Sequence, residues 1–129
     1  MVIDASAIVA IFFEETGFRR LLELIQDAPS RVVSAATLLE AGIVLDQSSA
    51  PSERDRLNDF LDGLQIRVAA FSEGQAQIAR EAYRRYGKGL HPARLNFGDC
   101  MSYALAKSLD EPLLFKGTDF SLTDVKVAQ

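Results

Sequence analysis

The sequence is poor in the residue types on which several classes of protein depend. Its 129 residues include one cysteine and one histidine. A single cysteine excludes an internal disulfide and a cysteine-rich zinc site, and it fits a reducing cytoplasm. A single histidine excludes ribonucleases that act with a histidine pair and metal sites with two histidine ligands. A metal ion held here would have mainly oxygen ligands, which favours magnesium or manganese.

Long apolar runs and an excess of positive charge are also missing. No apolar stretch approaches the roughly 20 residues of a membrane-spanning helix, and no basic segment precedes the apolar N-terminus as in a signal peptide. The formal net charge of −4 argues against a broadly basic nucleic-acid binder, but not against a nuclease, because bound metal ions reverse the local field. Without repeats or linkers, residues 1–129 are predicted to form one cytoplasmic domain that does not bind membranes.

Four acidic residues stand out because their surroundings are apolar. They are Asp4, Glu40, Asp99 and Asp119. Each of the first three is the only charge in its apolar segment, and the fourth closely follows an apolar run. An ionised carboxylate is costly to bury without a cationic partner. Four such acids are suited to a shared site for a hard cation.

Predicted strands alternate with predicted helices along the chain. The strands are predicted at Met1–Asp4, Arg31–Ser34, Ile66–Phe71, Leu113–Phe115 and Val125–Val127. The helices are predicted at Ala7–Phe13, Phe18–Ile25, Ala35–Gln47, 52–64, 72–86 and 99–109, with a turn at 117–122. This alternation favours an α/β fold with a mainly parallel sheet and helices on both faces. Sites in such sheets lie beyond the carboxyl ends of the strands, where the four acids are expected to meet.

Three side chains are predicted to cap helices. Ser6 and Ser52 are candidate N-caps for the first and fourth helices. Ser72 with Gln75 has the spacing of a capping box.

Four short motifs, taken in their order along the chain, resemble those of a known protein family. They are Val2–Ile8, the lone Glu40 on an apolar helix, Asn96–Cys100 and Lys116–Phe120. Together they resemble the PIN domain and, more narrowly, the VapC toxins of bacterial toxin–antitoxin systems. The resemblance covers essentially the whole chain, and the stretch 86–99 is similar to one VapC subgroup.

The resemblance implies a three-layer α/β/α fold and a magnesium- or manganese-dependent endoribonuclease toxin that cleaves RNA with a metal-activated water. In the family, the residues matching Asp4, Glu40, Asp99 and Asp119 form the acidic metal site. Ser6 and Thr118 match positions that support that site, although asparagine or serine is commoner than threonine at the second. The resemblance also implies an RNA substrate, a cognate VapB-type antitoxin and a homodimer.

The chemistry of the acids leads to a more specific hypothesis. We expect Asp4 and Asp99 to bind the metal directly, with Glu40 and Asp119 completing the site directly or through water. Without metal, the crowded carboxylates should raise the pKa of at least one member.

Basic residues around a glycine-rich loop are candidate RNA contacts, with Tyr83 and Tyr86 nearby to stack on bases. They are Arg84, Arg85, Lys88, His91 and Arg94; Lys107 and Lys116 are weaker candidates. The alternative is a solvated helix end and loop. Similarly, the apolar helices Ala7–Phe13 and Ala35–Leu45 either form a groove for an antitoxin segment or belong to the core.

Other interpretations remain for the acids and for the chain. Taken singly, Asp4 and Asp99 are also typical helix-capping or first-turn residues. A phosphatase with Asp4 as its nucleophile usually requires a second acid two residues later, where this chain has Ser6. A receiver domain would want a phosphoacceptor acid after the middle strand, where Ser72 and Glu73 follow. A non-toxin PIN nuclease and a catalytically weak PIN-type protein-binding module are the remaining alternatives.

Overall fold

Short parallel strands alternate with α-helices in this computed structural model, which describes residues 1–48 and 56–129. The elements are β1 (Val2–Ile3), α1 (Ala5–Phe12), α2 (Phe18–Asp27), β2 (Val32–Ser34), α3 (Ala35–Ser48), α4 (Arg56–Gly63), β3 (Arg67–Ala69), α5 (Glu73–Tyr86), α6 (Phe97–Leu109), β4 (Leu113–Leu114) and a 3-10 helix (Asp119–Leu122). Within this part of the chain, no helix is both long and apolar enough to span a membrane.

The strands form one parallel sheet in the order β3-β2-β1-β4. Val2 of β1 pairs with Val32 on one side and Leu113 on the other. The predicted α/β fold with a parallel sheet is therefore confirmed. The order places β1, which carries Asp4 at its end, in the interior of the sheet.

Two hydrophobic clusters cover the two faces of the sheet. Alternate strand residues point to opposite faces, so Val2 joins one cluster and its neighbour Ile3 joins the other. The first cluster includes residues of α5 and α6, and the second includes residues of α1, α2, α3 and α4. The helices that carry Glu40 and Asp99 consequently lie on different layers and can meet only at an edge of the sheet.

Several local predictions differ from the structure. The N-cap of α1 is Asp4 rather than Ser6, because the Asp4 carboxylate reaches the backbone N–H of Ser6 in the first turn. Ser72 caps α5 by accepting from Gln75 N, but Gln75 Oε1 has no hydrogen-bond partner, so the capping box is incomplete. The predicted cap Ser52 lies outside the described residues.

The last predicted strand is wrong. Val127 forms a single bridge to Leu113, and residues 125–127 do not continue as a strand. The predicted turn at 117–122 contains the 3-10 helix that begins at Asp119.

Candidate active site

Asp4 is held at the carboxyl end of β1 by its neighbours. The residue is only 3% exposed. Its Oδ2 accepts hydrogen bonds from Ser6 N at 2.9 Å and from Ser6 Oγ at 2.5 Å. Ser6 Oγ in turn accepts from Lys116 N, just beyond β4, at 3.0 Å. Ser6 therefore orients Asp4 and ties it to the segment that leads to Asp119; its role in supporting a metal site stays a prediction.

Glu40 reaches the site from the middle of α3 and packs against Gly98 in the first turn of α6. A Cβ atom added at Gly98 would overlap both oxygens of the Glu40 carboxylate. The absence of a side chain at this position is what allows Glu40 to approach α6 so closely. Gly98 was not among the site residues predicted from the sequence. The available signal was a glycine in a helical first turn, directly before a candidate ligand.

Asp99 is fixed in the first turn of α6 by a capping box with Asn96. Asp99 N donates to Asn96 Oδ1 at 2.9 Å, and Asn96 N donates to Asp99 Oδ2 at 2.7 Å. The capping interpretation of Asp99 is thus correct. It does not compete with a role in metal binding, because the capping box uses only one of the two carboxylate oxygens.

Electrostatic interactions link the four acids. Burial raises the pKa of Asp99 from 3.8 to about 6; the Asn96 N–H opposes this rise, and the negative charges of Asp4 and Asp119 add to it. Burial also raises the pKa of Glu40, again with contributions from Asp4 and then Asp99. The expectation that crowding would raise at least one carboxylate pKa is confirmed.

Asp119 and Thr118 occupy the outer side of this group. Asp119 is exposed and begins the 3-10 helix. Thr118 precedes it, and its side chain makes no capping hydrogen bond to that helix. The supporting role of Thr118 therefore stays a prediction.

A buried hydroxyl pair joins the two helices that carry Glu40 and Asp99. Thr37 Oγ1 and Ser102 Oγ lie 3.0 Å apart and are fully buried. Thr37 is one turn before Glu40 on α3, and Ser102 is one turn after Asp99 on α6. This hydrogen bond fixes the spacing of α3 and α6 directly behind the acids.

The donor set fits a hard cation, although its ligands are not fully arranged. All four candidate ligands offer carboxylate oxygens, the donors that Mg²⁺ and Mn²⁺ prefer. Within residues 1–48 and 56–129, no three acidic, histidine or cysteine side chains are already grouped as a metal site. One oxygen each of Asp4 and Asp99 is engaged in the protein hydrogen bonds described above.

The predicted RNA-contacting residues differ in their immediate surroundings, and their role stays a prediction. Arg84 contacts Glu81 and Arg85 contacts Asp124, both at 3.5 Å. Lys88, His91 and Arg94 line a shallow cavity at the glycine-rich loop.

The two tyrosines of this region also differ in access. Tyr86 is 5% exposed, with the ring of His91 packed edge-on at 5.2 Å, so it cannot stack on a base. Tyr83 is 42% exposed and lines a larger pocket with Lys88. Arg80 and Phe97 line the same pocket. Neither was predicted from the sequence as an RNA contact.

The weaker basic candidates are engaged elsewhere. Lys107 lies 3.3 Å from Asp124. The Nζ of Lys116 donates to the carbonyl oxygen of Thr16. Neither contact points to RNA.

The two apolar helices differ in their exposure. In α1, Ala5, Ala7, Ile8 and Ala10 are buried, so most of this helix belongs to the core. In α3, Leu39 is 65% exposed and Ile43 is 48% exposed. These two side chains and Glu40 line a groove of about 400 Å³ that leads to the acids.

The chain is similar to known proteins over nearly its whole length. The PIN domain family model matches residues 1–126. A protein of Mycolicibacterium smegmatis named Ribonuclease VapC is 47% identical over 125 residues, covering 97% of each chain. Ribonuclease VapC28 of Mycobacterium tuberculosis is 44% identical over 129 residues, covering 99% of this chain and 97% of the relative.

Solved structures share the fold at lower identity. The crystal structure of Mycobacterium tuberculosis VapC20, titled a sarcin–ricin loop cleaving toxin, matches with a TM-score of 0.75 and 16% identity over 99% of this chain and 98% of that chain. A toxin–antitoxin complex from Klebsiella pneumoniae matches with a TM-score of 0.74 and 17% identity over 95% of this chain and 92% of that chain.

Proposed function

This chain belongs to the PIN-domain family and, within it, to the VapC ribonucleases, and we propose that it is a toxin that cleaves RNA in the cytoplasm. The observation that carries the proposal is the group of acids beyond the strand ends. Burial, and after it the charges of neighbouring acids, raise the pKa values of Glu40 and Asp99, and none of the four acids takes part in the ion pairs formed within the described residues. A site of this kind is suited to a divalent cation.

The metal is proposed to be Mg²⁺ or Mn²⁺. Asp4 and Asp99 would hold it directly, and Glu40 and Asp119 would complete the site directly or through water. When bound, such an ion lowers the pKa of a water molecule and neutralises phosphate oxygens. Cleavage of a phosphodiester requires both effects.

The surrounding residues prepare the acids for this task. Ser6 holds one oxygen of Asp4, and Asn96 holds one oxygen of Asp99. Gly98 makes room for Glu40. Preorganisation of this kind leaves the remaining carboxylate oxygens in restricted positions, which lowers the entropic cost of binding a cation.

The proposed partners are an RNA substrate, a VapB-type antitoxin and a second copy of the chain. The exposed Leu39 and Ile43 beside Glu40 offer an apolar surface next to the acids. An antitoxin helix on this surface could extend an arginine to the acids, where its fixed positive charge would replace that of the metal. Co-purification with the small protein encoded next to this chain, and loss of inhibition when its arginine is replaced, would test this idea.

The decisive experiment is RNA cleavage by the purified protein in Mg²⁺ or Mn²⁺. Asp4→Asn and Asp99→Asn should each reduce cleavage about 100-fold or more, because each removes a charged ligand, and chelation with EDTA should abolish it. Wild-type cleavage by either variant would refute the assignment of the site.

Sequencing RNA ends after brief expression, with Asp4→Asn as the control, would identify the substrate. Cleavage without growth arrest would favour a non-toxin nuclease, and metal binding without cleavage would favour a binding module.

A further inference from the structure

A pocket of about 590 Å³ lies between α5 and the beginning of α6, the helix that carries Asp99 in its first turn. Three aromatic side chains line it, from Phe71, Tyr83 and Phe97. Phe97 is 79% exposed, and it is separated from Asp99 only by the glycine that contacts Glu40. An aromatic ring so exposed gains little from folding, which indicates that its face is available to a ligand.

The charge of the pocket is positive, although the whole chain carries a net charge of −4. Among the described residues, Arg80 and Lys88 are the only charged ones that line it, and no acid does. Neither side chain forms an ion pair within residues 1–48 and 56–129, whereas the nearby Arg84 and Arg85 both do. Cations without an ion-pair partner beside aromatic side chains are typical of surfaces that hold single-stranded nucleic acid.

Asn96 connects this pocket to the acids. Its Oδ1 accepts from Asp99 N in the capping box, and the residue also lines the pocket. The side-chain NH₂ of Asn96 makes no hydrogen bond with the described residues, so it can donate to a base edge. A ligand in the pocket would therefore be positioned relative to Asp99 through one short, rigid segment.

We propose that the pocket lined by Phe97, Tyr83, Arg80 and Lys88 holds an unpaired RNA base and thereby positions the strand for cleavage at the acids. The inference rests on the proposed nuclease function and adds a base-binding subsite to it. Phe97 supplies the stacking surface, and the two cations contact the phosphates that flank the base.

The test is RNA affinity measured in the Asp4→Asn background, in which the strand is not cut. The probe is a single-stranded oligoribonucleotide in which one base at a time is replaced by an abasic nucleotide. Phe97→Ala should weaken binding of the intact strand about tenfold, as expected for the loss of one stacked base. The same substitution should make binding insensitive to the abasic nucleotide at one position, because the base and the ring act as a pair. Phe97→Tyr should retain the parent affinity.

Matched variants separate this subsite from general effects. Arg80→Gln and Lys88→Gln should each weaken binding and lower its salt dependence by about one ion. Leu109→Ala, an exposed apolar residue at the other end of α6, and Arg20→Gln on α2 should change neither quantity. With Asp4 restored, Phe97→Ala should raise KM about tenfold and lower kcat by a smaller factor.

Two results would overturn the inference. The first is an unchanged affinity and KM for Phe97→Ala. The second is a loss of self-association on sedimentation with unchanged RNA affinity, which would make this face an interface between copies of the chain. Neither result would affect the proposed nuclease function, which depends on whether Asp4→Asn abolishes cleavage.

Discussion

Two carboxylates associated with helix α6 have opposite electrostatic surroundings: Asp99, in its first turn, and Asp124, which contacts Tyr103 and Lys107 further along the helix. At its beginning, Asp99 lies among other acids, and its pKa rises to about 6 through burial and their charges. Further along the helix, Tyr103 OH donates to Asp124 at 2.5 Å, and Lys107 and Arg85 lie 3.3 and 3.5 Å from the same carboxylate. These contacts, the tyrosine hydrogen bond first, hold the pKa of Asp124 below its usual range.

The difference separates an acid that supports folding from one that is reserved for a ligand. Asp124 has its cations within the protein, so its charge contributes to stability. Asp99 has no such partner, so its charge lowers the stability of the metal-free protein. Natural proteins retain such a cost where function requires it.

Among variants outside the four acids, the largest effect should come from Gly98→Ala, which would move Glu40 away from Asp99. The new methyl group overlaps the Glu40 carboxylate, and we expect metal-dependent cleavage to fall about 10- to 100-fold, the range seen when groups around a metal site are displaced. The melting temperature should not fall, because alanine is a better helix former than glycine. Gly63→Ala is the matched control, since a Cβ there meets nothing within 4 Å. Wild-type cleavage by Gly98→Ala would show that the position of Glu40 is unimportant.

The next effect concerns pH. The folded-state pKa of Asp99 exceeds its ordinary value of 3.8, so the native protein binds a proton more tightly than the unfolded chain does. The free energy of unfolding of the metal-free protein should therefore rise by about 1–2 kcal/mol as the pH falls through 6 towards 4. Urea titrations at several pH values would measure this rise.

Two variants sharpen the pH comparison. Asp99→Asn should flatten the rise, and saturating Mg²⁺ should oppose it. Asp124→Asn should leave the rise intact, because a lowered pKa affects stability only at more acidic pH. A metal-free protein whose stability does not depend on pH between 4 and 7 would contradict the interpretation of the acid group.

A smaller loss is expected when the buried hydroxyl pair behind the acids is broken. Thr37→Val leaves the Ser102 hydroxyl buried without its partner, which should cost about 1–2 kcal/mol of stability. Because α3 and α6 also lose their fixed spacing, the affinity for Mg²⁺ should fall. Titration calorimetry would measure this affinity. Thr37→Ser should preserve both properties. Full metal affinity in Thr37→Val would restrict the pair to a purely structural role.

The smallest effect should come from Tyr103→Phe in the middle of α6. This change removes the hydrogen bond to Asp124 but keeps the buried ring, so about 1 kcal/mol of stability should be lost. RNA cleavage at saturating metal should be unchanged, because Asp124 belongs to the compensated group. Reduced cleavage by a fully folded Tyr103→Phe protein would show that the surroundings of Asp124 affect the acid group at Asp99.

Much of the fold and the identity of the candidate acids could be predicted from local patterns. Alternating strand and helix signals predicted the parallel sheet, and isolated charges in apolar segments singled out Asp4, Glu40 and Asp99. The failures were local ones, at Ser6, Gln75 and residues 125–127. At these positions, the choice between two similar hydrogen-bond partners, or between a strand and a single bridge, depends on neighbours that are distant in sequence.

The sequence by itself determined which side chains would be too costly to bury alone, because that cost depends on the charge of a residue and the apolarity of its segment. Only the tertiary structure decided how those side chains meet. The contact of Glu40 with Gly98 and the pairing of Thr37 with Ser102 join residues that are more than 50 positions apart. The same packing brings Phe97, Tyr83 and Arg80 around one pocket, because α5 and α6 cover the same face of the sheet.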